Sequence, residues 1–214
     1  MTLREPALPA ALFARLLRAV ESLGETRLRQ TWQTTFWFPR GAEPTNLVEE
    51  AIGLLPWPRR SGITGAEWWL SRMRTSRVPI DFHQDHDIER AERGGPVRHP
   101  VLSSVLFLNH STGGLLAVTR DRPNPRNLAL APSRHDFDLV TPKPNRLAFF
   151  EGSLTHGVLD AKNRIPGGRL PREPNLRLAI AVNLWREQPI AARRFEDSDL
   201  YPQLAKRRAG AISR

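Results

Sequence analysis

The chain contains no cysteine. That excludes disulfides, zinc fingers, iron–sulfur clusters and thiol catalysis, and it leaves His, Asp and Glu as the pool of metal ligands. Lysine is nearly missing too: of 32 basic residues only 3 are Lys and the rest are Arg. No apolar run approaches the ~18 residues that a membrane-spanning helix requires. Internal repeats and low-complexity segments are also missing. The first turns hold a helical pattern, but Arg15 and Arg18 interrupt it and no small-residue cleavage site follows. We therefore expect no secretory signal and a cytoplasmic location.

What is present fits one sizeable domain. A length of 214 residues, with 40% hydrophobic and 25% charged residues, is enough to bury a core without covalent staples. The net charge of +10 raises the question of nucleic acid. The basic residues are spread along the chain, however, at Arg59–Arg60, Arg120 to Arg126, Lys162 to Arg177 and Lys206 to Arg208. The Arg-over-Lys bias, in a chain also rich in Ala, Pro, Gly and Leu, suits a GC-rich coding sequence as well as a phosphate-binding surface. A small-molecule or peptide substrate is the better expectation, with no nucleic-acid and no membrane partner.

Residues 1–65 read as a flank of helices and one strand. "LPAALFARLLRAVESLG" (8–24) puts Leu12, Phe13, Leu16, Leu17 and Val20 on one face, with Gly24 as a stop. "RLRQTWQTTFWF" (27–38) is rich in Thr and aromatics and reads as a strand. Next comes a short helix capped by Thr45 or Asn46, with a glutamate at 49 or 50, ending near Pro56. From residue 66 to 187 short apolar segments follow one another, separated by turn signals such as Gly94-Gly95-Pro96 and Gly113-Gly114. Eight such strands predict a sandwich or barrel with flanking helices. Residues 162–175 read as a Pro/Gly/Arg-rich insertion before the last strand, and 188–214 as a tail with one helix and a frayed end.

The densest chemistry lies in "VPIDFHQDHDIER" (78–90), with two histidines and three aspartates in seven positions. On a strand, residues i and i+2 face the same way, so His83 and Asp85 point together and His86 points away. No other histidine has an acid two places on. A third ligand must come from another strand, and His156 in "RLAFFEGSLTHGVL" is the candidate. Two histidines and a carboxylate suit non-haem Fe(II) with open coordination positions, and a zinc hydrolase could use the same groups. Taken singly, His156 also reads as a hydrogen-bonded core histidine, and His83 with Asp85 as a pair that orients a loop.

In its order of elements the sequence resembles the 2-oxoglutarate- and Fe(II)-dependent dioxygenases, whose core is a double-stranded β-helix of the jelly-roll or cupin type. The prolyl-4-hydroxylase-like branch is the most similar. "HQD" (83–85), "VLSSVLFLNHSTGGLLAV", "PKPNRLAFFEGSLTHGV" and "NLRLAIAVNLW" carry the resemblance, which spans about residues 66–187. It implies that His83, Asp85 and His156 hold Fe(II), and that Arg177 pairs with the distal carboxylate of 2-oxoglutarate, with O2 as second cosubstrate. The small Ala179 and Ala181 would leave that cosubstrate room. The implied activity is hydroxylation of an unactivated C–H bond. Position 183 is Asn, where the DNA-repair relatives carry a second arginine. The rival readings are a non-catalytic or nucleic-acid-binding barrel, and a cupin-type metalloenzyme that does not use 2-oxoglutarate.

Overall fold

A computed structural model describes residues 1–31, 34–58, 62–75, 82–119, 137–160, 162 and 176–206. Two sheets make the body. The larger holds β1 (Thr2–Arg4), β2 (Phe36–Pro39), β3 (Gly65–Arg74), β4 (Leu102–Phe107), β7 (Arg146–Glu151), β9 (Leu176–Trp185) and β10 (Arg193–Arg194), in the order β1-β7-β4-β9-β3-β2-β10. The smaller holds β5 (Leu116–Thr119), β6 (Phe137–Val140) and β8 (His156–Val158), in the order β6-β5-β8. An isolated antiparallel bridge from His83 to His156 adds one more position beside β8.

Along residues 65–185 the chain passes back and forth between the two sheets. β3 is in the large sheet, His83 at the small one, β4 in the large, β5 and β6 in the small, then β7 large, β8 small and β9 large. That alternation is the winding of a double-stranded β-helix, and the fold is mainly β with flanking helices. The four central strands of the large sheet, β7-β4-β9-β3, are all antiparallel neighbours.

Side-chain alternation on β9 divides the molecule into two compartments. Leu178, Ile180, Val182 and Leu184 face the helical layer, where they join Trp68, Leu70, Leu106, Phe149 and the apolar face of α1 (Ala10–Gln30). Ala179 on the opposite face packs with Phe107, Leu116, Val140 and Phe150 between the sheets. Arg177, Ala181 and Asn183 share that inner face. The adjacent pair Trp68-Trp69 is divided in the same way: Trp68 is sealed in the helical core, and Trp69 lines the inner cavity.

Three expectations need correction. The first helix does not stop at Gly24. That glycine breaks it at φ 72°, ψ 158°, and helix resumes to Gln30, with Leu28 buried and Glu25 paired with Arg72 and Arg74 of β3. Residues 27–30 are thus helical, and the strand is the shorter Phe36–Pro39. Residues 1–65 also hold a second strand, β1, and both β1 and β2 are members of the large sheet.

The tail, among its described residues, contains no α-helix. It docks through β10 and two 3-10 turns, Phe195–Asp197 and Pro202–Leu204. Its anchors are single side chains, Phe195 and Tyr201 against Phe36 and Leu204 in the core, with no continuous helical face to bury. The second helix α2 (Leu47–Gly53) forms as read. Asn46 accepts from the amides of Val48 and Glu49, while the Glu49 carboxylate accepts from the Thr45 amide and hydroxyl. The 163–175 part of the insertion lies outside the described residues, as does the tail beyond residue 206.

Candidate metal centre

Two histidines 73 positions apart are brought face to face by one backbone element. The His83 amide donates to the His156 carbonyl at 2.9 Å, and the His156 amide donates to the His83 carbonyl at 2.8 Å. In such a hydrogen-bonded antiparallel pair both side chains leave on the same face. Their ring centroids lie 4.6 Å apart. Asp85 then reaches both rings: Oδ1 is 3.5 Å from His83 Nε2, and Oδ2 is 3.5 Å from His156 Nε2. One ligand atom from each of the three residues falls within 4.8 Å of the others. The expected group therefore assembles, seated by the His83–His156 bridge; residues 79–81 of the strand expected over 79–85 lie outside the described residues.

The neighbours fix the orientation and protonation of these groups. His156 Nδ1 donates to the Leu154 carbonyl at 3.0 Å, which leaves the Nε2 lone pair facing Asp85. The Ser103 hydroxyl donates to Asp85 Oδ2 at 2.8 Å, and His99 Nδ1 donates to the Asp85 carbonyl at 2.7 Å. Burial works to raise the Asp85 carboxyl, yet the charge of His156 and the hydrogen bond and charge of His83 outweigh it. The carboxyl is held well below the usual carboxylate range. For His156 burial outweighs the neighbouring carboxylate and pushes the imidazole down. Two imidazole nitrogens and a carboxylate oxygen brought this close together fit a divalent metal such as Fe(II).

His86 stays out of this group. Its Nδ1 donates to the Gln84 carbonyl at 3.1 Å, and its ring stands 6.4 Å from that of His99.

Arg177 is buried at 2% exposure on the inner face of β9. Its Nε donates to the Gly114 carbonyl at 3.0 Å, and its guanidinium carbon lies 5.0 Å from the centre of the Phe107 ring. The Gly113-Gly114 turn makes this approach possible. Both glycines have positive φ, and a Cβ on Gly114 would lie 2.7 Å from Thr75 Cγ2 and 3.1 Å from Arg177 Cδ. Among the described residues no carboxylate pairs with Arg177. Burial alone lowers its pKa to about 10, so it remains charged at neutral pH. A cavity of about 70 Å³ is lined by His83, Asp85, His156 and Arg177 together, with Ala181 and Asn183 between sheet and site.

Sequence reasoning missed Ser103 and His99, which hold Asp85, and the facing of Glu67 and Asn183 across β3 and β9. A signal existed for three of them: each of Ser103, Glu67 and Asn183 is a polar residue inside an apolar strand, at a position facing the barrel interior. His99 lies on the loop before β4, where no periodicity points to a partner.

No protein-family model matches the chain, and no curated protein matches it in sequence. Solved structures of similar shape include a prolyl-4-hydroxylase from Pseudomonas putida, 18% identical over 87% of this chain and 88% of that one, at a TM-score of 0.49. AviO1 from Streptomyces viridochromogenes Tue57 is 16% identical over 86% of this chain and 88% of its own, at 0.45. SnoN, a non-haem α-ketoglutarate-dependent epimerase of nogalamycin biosynthesis, is 13% identical over 85% and 77%, also at 0.45. At such identities and scores these proteins lend this chain no chemistry, which rests on its own residues.

Proposed function

We propose that the chain is a non-haem Fe(II)- and 2-oxoglutarate-dependent oxygenase that hydroxylates an unactivated C–H bond of a small molecule or peptide. The observation that carries this reading is Arg177. A guanidinium taken out of water without a counter-ion costs several kcal/mol; among the described residues this one has no carboxylate partner, and it shares a cavity with the three candidate metal ligands. A cosubstrate bearing a carboxylate at one end and a metal-chelating group at the other accounts for both features at once.

With Fe(II), 2-oxoglutarate and O2 bound, the centre supplies a two-electron oxidation that places one oxygen atom on the substrate carbon, the cosubstrate leaving as succinate and CO2. The protein's own residues then have definite tasks. His83, Asp85 and His156 would hold the metal. Ser103 and His99 keep the Asp85 carboxylate and backbone from turning away. Arg177, pinned by Gly114 and Phe107, offers its remaining N–H donors as a fork to the distal carboxylate. Ala181 leaves space along β9 for the cosubstrate, and Leu116, Phe150 and Val158 line it and exclude water, whereas Ala179, expected beside it, is filled in by the packing of Phe107, Val140 and Phe150.

Anaerobic titration tests this. Fe(II) followed by 2-oxoglutarate should produce a visible charge-transfer band in the wild type and none in His83→Ala. A wild type that binds Fe(II) but shows no band on adding 2-oxoglutarate would leave only a metal-dependent cupin-type enzyme standing.

A further inference from the structure

The cavity opens toward β3, and the residues that stand there have no task in the scheme above. On the opposite flank Phe150 covers His156: their ring centroids are 4.8 Å apart and the His156 side chain is 10% exposed. The His83 side chain, by contrast, is 40% exposed. Of the residues that β3 sends to the cavity Met73 is buried, while Trp69 and Ser71 are half-buried. Trp69 faces the half-buried Val105 across Ala181, all three in one row of the large sheet. The small alanine is thus the floor of an opening with Trp69 as one wall.

Neither side chain is engaged elsewhere. Trp68 packs its ring on Phe36 and Phe195 in the helical core, but among the described residues Trp69 has no ring partner and no hydrogen bond. Ser103 and Ser104 also line the cavity, and their hydroxyls donate to Asp85 and to the Val182 carbonyl. The Ser71 hydroxyl has no such partner among the described residues. An unpacked indole and an uncommitted hydroxyl, two residues apart on one face of a strand, are the materials of a ligand pocket, which joins apolar rings to a few placed polar groups.

The register says which ligand meets them. Met73 stands opposite Arg177, Ser71 opposite Ala179 and Trp69 opposite Ala181. Trp69 is therefore four residues, about 13 Å, along the strand from the level of Arg177. Ala181 in turn lies two residues from Asn183, whose neighbour on β4 is Ser103, the residue that holds Asp85. A cosubstrate held at Arg177 takes the Met73 end, and a molecule entering from the open side meets Trp69 first. An indole favours a flat ring, which gains an oriented aromatic contact beyond the area that a saturated ring would bury. A serine hydroxyl both donates and accepts, and so favours a polar group on that ring. We infer that Trp69 and Ser71 are specificity-determining residues for the molecule to be oxidised, and that this molecule presents a flat, unsaturated ring bearing a hydroxyl, amine or carbonyl group. This rests on the proposed function, since it takes the metal and the Arg177 end as occupied.

The test uses the full chain with redox-silent Mn(II) and saturating 2-oxoglutarate. Three probes of similar size are compared: benzyl alcohol, cyclohexylmethanol and toluene. Paramagnetic relaxation of the probe protons reports which of them sits beside the metal. Benzyl alcohol should be relaxed about fivefold more strongly than cyclohexylmethanol at equal concentration, the gain of one aromatic pair. Trp69→Leu should make the two equal, and Trp69→Phe should keep the preference. Ser71→Ala should lower the relaxation of benzyl alcohol about fivefold, the effect of one hydrogen bond, and leave toluene unchanged. Wild-type protein that relaxes cyclohexylmethanol as strongly as benzyl alcohol, or relaxes neither, overturns the inference without any variant having to fold. So does a Trp69→Leu variant that keeps the preference, or a Ser71→Ala variant that relaxes benzyl alcohol as wild type does. Loss of the free Mn(II) resonance and relaxation of the 2-oxoglutarate protons, recorded on the same samples, separate the two failures. If the wild type takes up no Mn(II) or leaves 2-oxoglutarate unrelaxed, the proposed function falls and this inference with it. If both bind and the flat ring gains nothing, only the role of Trp69 and Ser71 falls.

Discussion

Phe82 lies flat against the backbone of Gly157: a Cβ at that glycine would stand 2.8 to 3.0 Å from three atoms of the phenyl ring. These two residues are the chain neighbours of His83 and His156, and their close approach is what allows the two histidines to pair. Gly157→Ala should therefore push the ring outward, widen the His83–His156 bridge and lower metal affinity by about tenfold, the low end for residues that support metal ligands. Replacing Phe82 by Leu in the same variant should recover part of the loss. Calorimetric Mn(II) titration of the three proteins measures this; equal affinities would show that the bridge is not strained by the added methyl.

Ser103→Ala removes the one side-chain donor to Asp85 Oδ2, among the described residues, other than the site's own histidines. Metal affinity should fall about 10- to 100-fold, with little change in thermal stability because the site is small and the packing unaltered. His86→Ala should leave metal content as in wild type, since its ring is turned to the Gln84 carbonyl. Metal analysis of the two purified variants decides both points.

Glu67 gives a pH dependence with a definite sign. Burial raises its pKa from 4.5 to about 7, against the hydrogen bonds from Thr35 and Trp185 that lower it. The folded state then holds a proton that the unfolded chain has released, so stability declines as pH rises from about 4.5 to about 7 and levels off above. In the metal-free protein Glu67→Gln should abolish this part of the slope and be more stable than wild type by roughly 2–3 kcal/mol at alkaline pH. Denaturant melts of both proteins across this range test it; parallel pH profiles would refute it.

The basic surface should bind nucleic acid only through its charge. Affinity for duplex DNA should be weak and should vanish near physiological ionic strength, as counterion release dictates. Tight binding that survives at that salt would favour the nucleic-acid-binding reading over a small-molecule or peptide substrate.

Much of this was legible in the sequence, and the reasons differ by element. The strands after residue 66 were readable because a barrel strand with one face on a core must alternate, and "LRLAIAVNLW" does so without a break. His83 and Asp85 were readable because the period of an extended chain is two. His156 was readable only as the remaining histidine on a strand; the bridge that seats it depends on a pairing between residues 73 apart, which no local pattern encodes. Asn183 was visible as a letter, but not its place between Glu67 and Ser103, which arrive from two other strands. The extension of α1 past Gly24 was hidden because a glycine at positive φ looks like a helix stop whether or not a helix resumes, and Glu25 finds its arginines only in the fold.

The central claim is that Arg177 holds the distal carboxylate of a cosubstrate chelated by the metal. Anaerobic titration of 2-oxoglutarate into the Fe(II) protein, for wild type, Arg177→Ala and Arg177→Lys, measures it most directly. A charge-assisted, bidentate pair at a buried site is worth about 1.5–3 kcal/mol, so Arg177→Ala should weaken 2-oxoglutarate binding by roughly ten- to a hundredfold. Lysine should restore part of it by keeping charge without the fork, and Fe(II) content should be the same in all three. Unchanged 2-oxoglutarate affinity in Arg177→Ala, with the metal in place, would contradict the account.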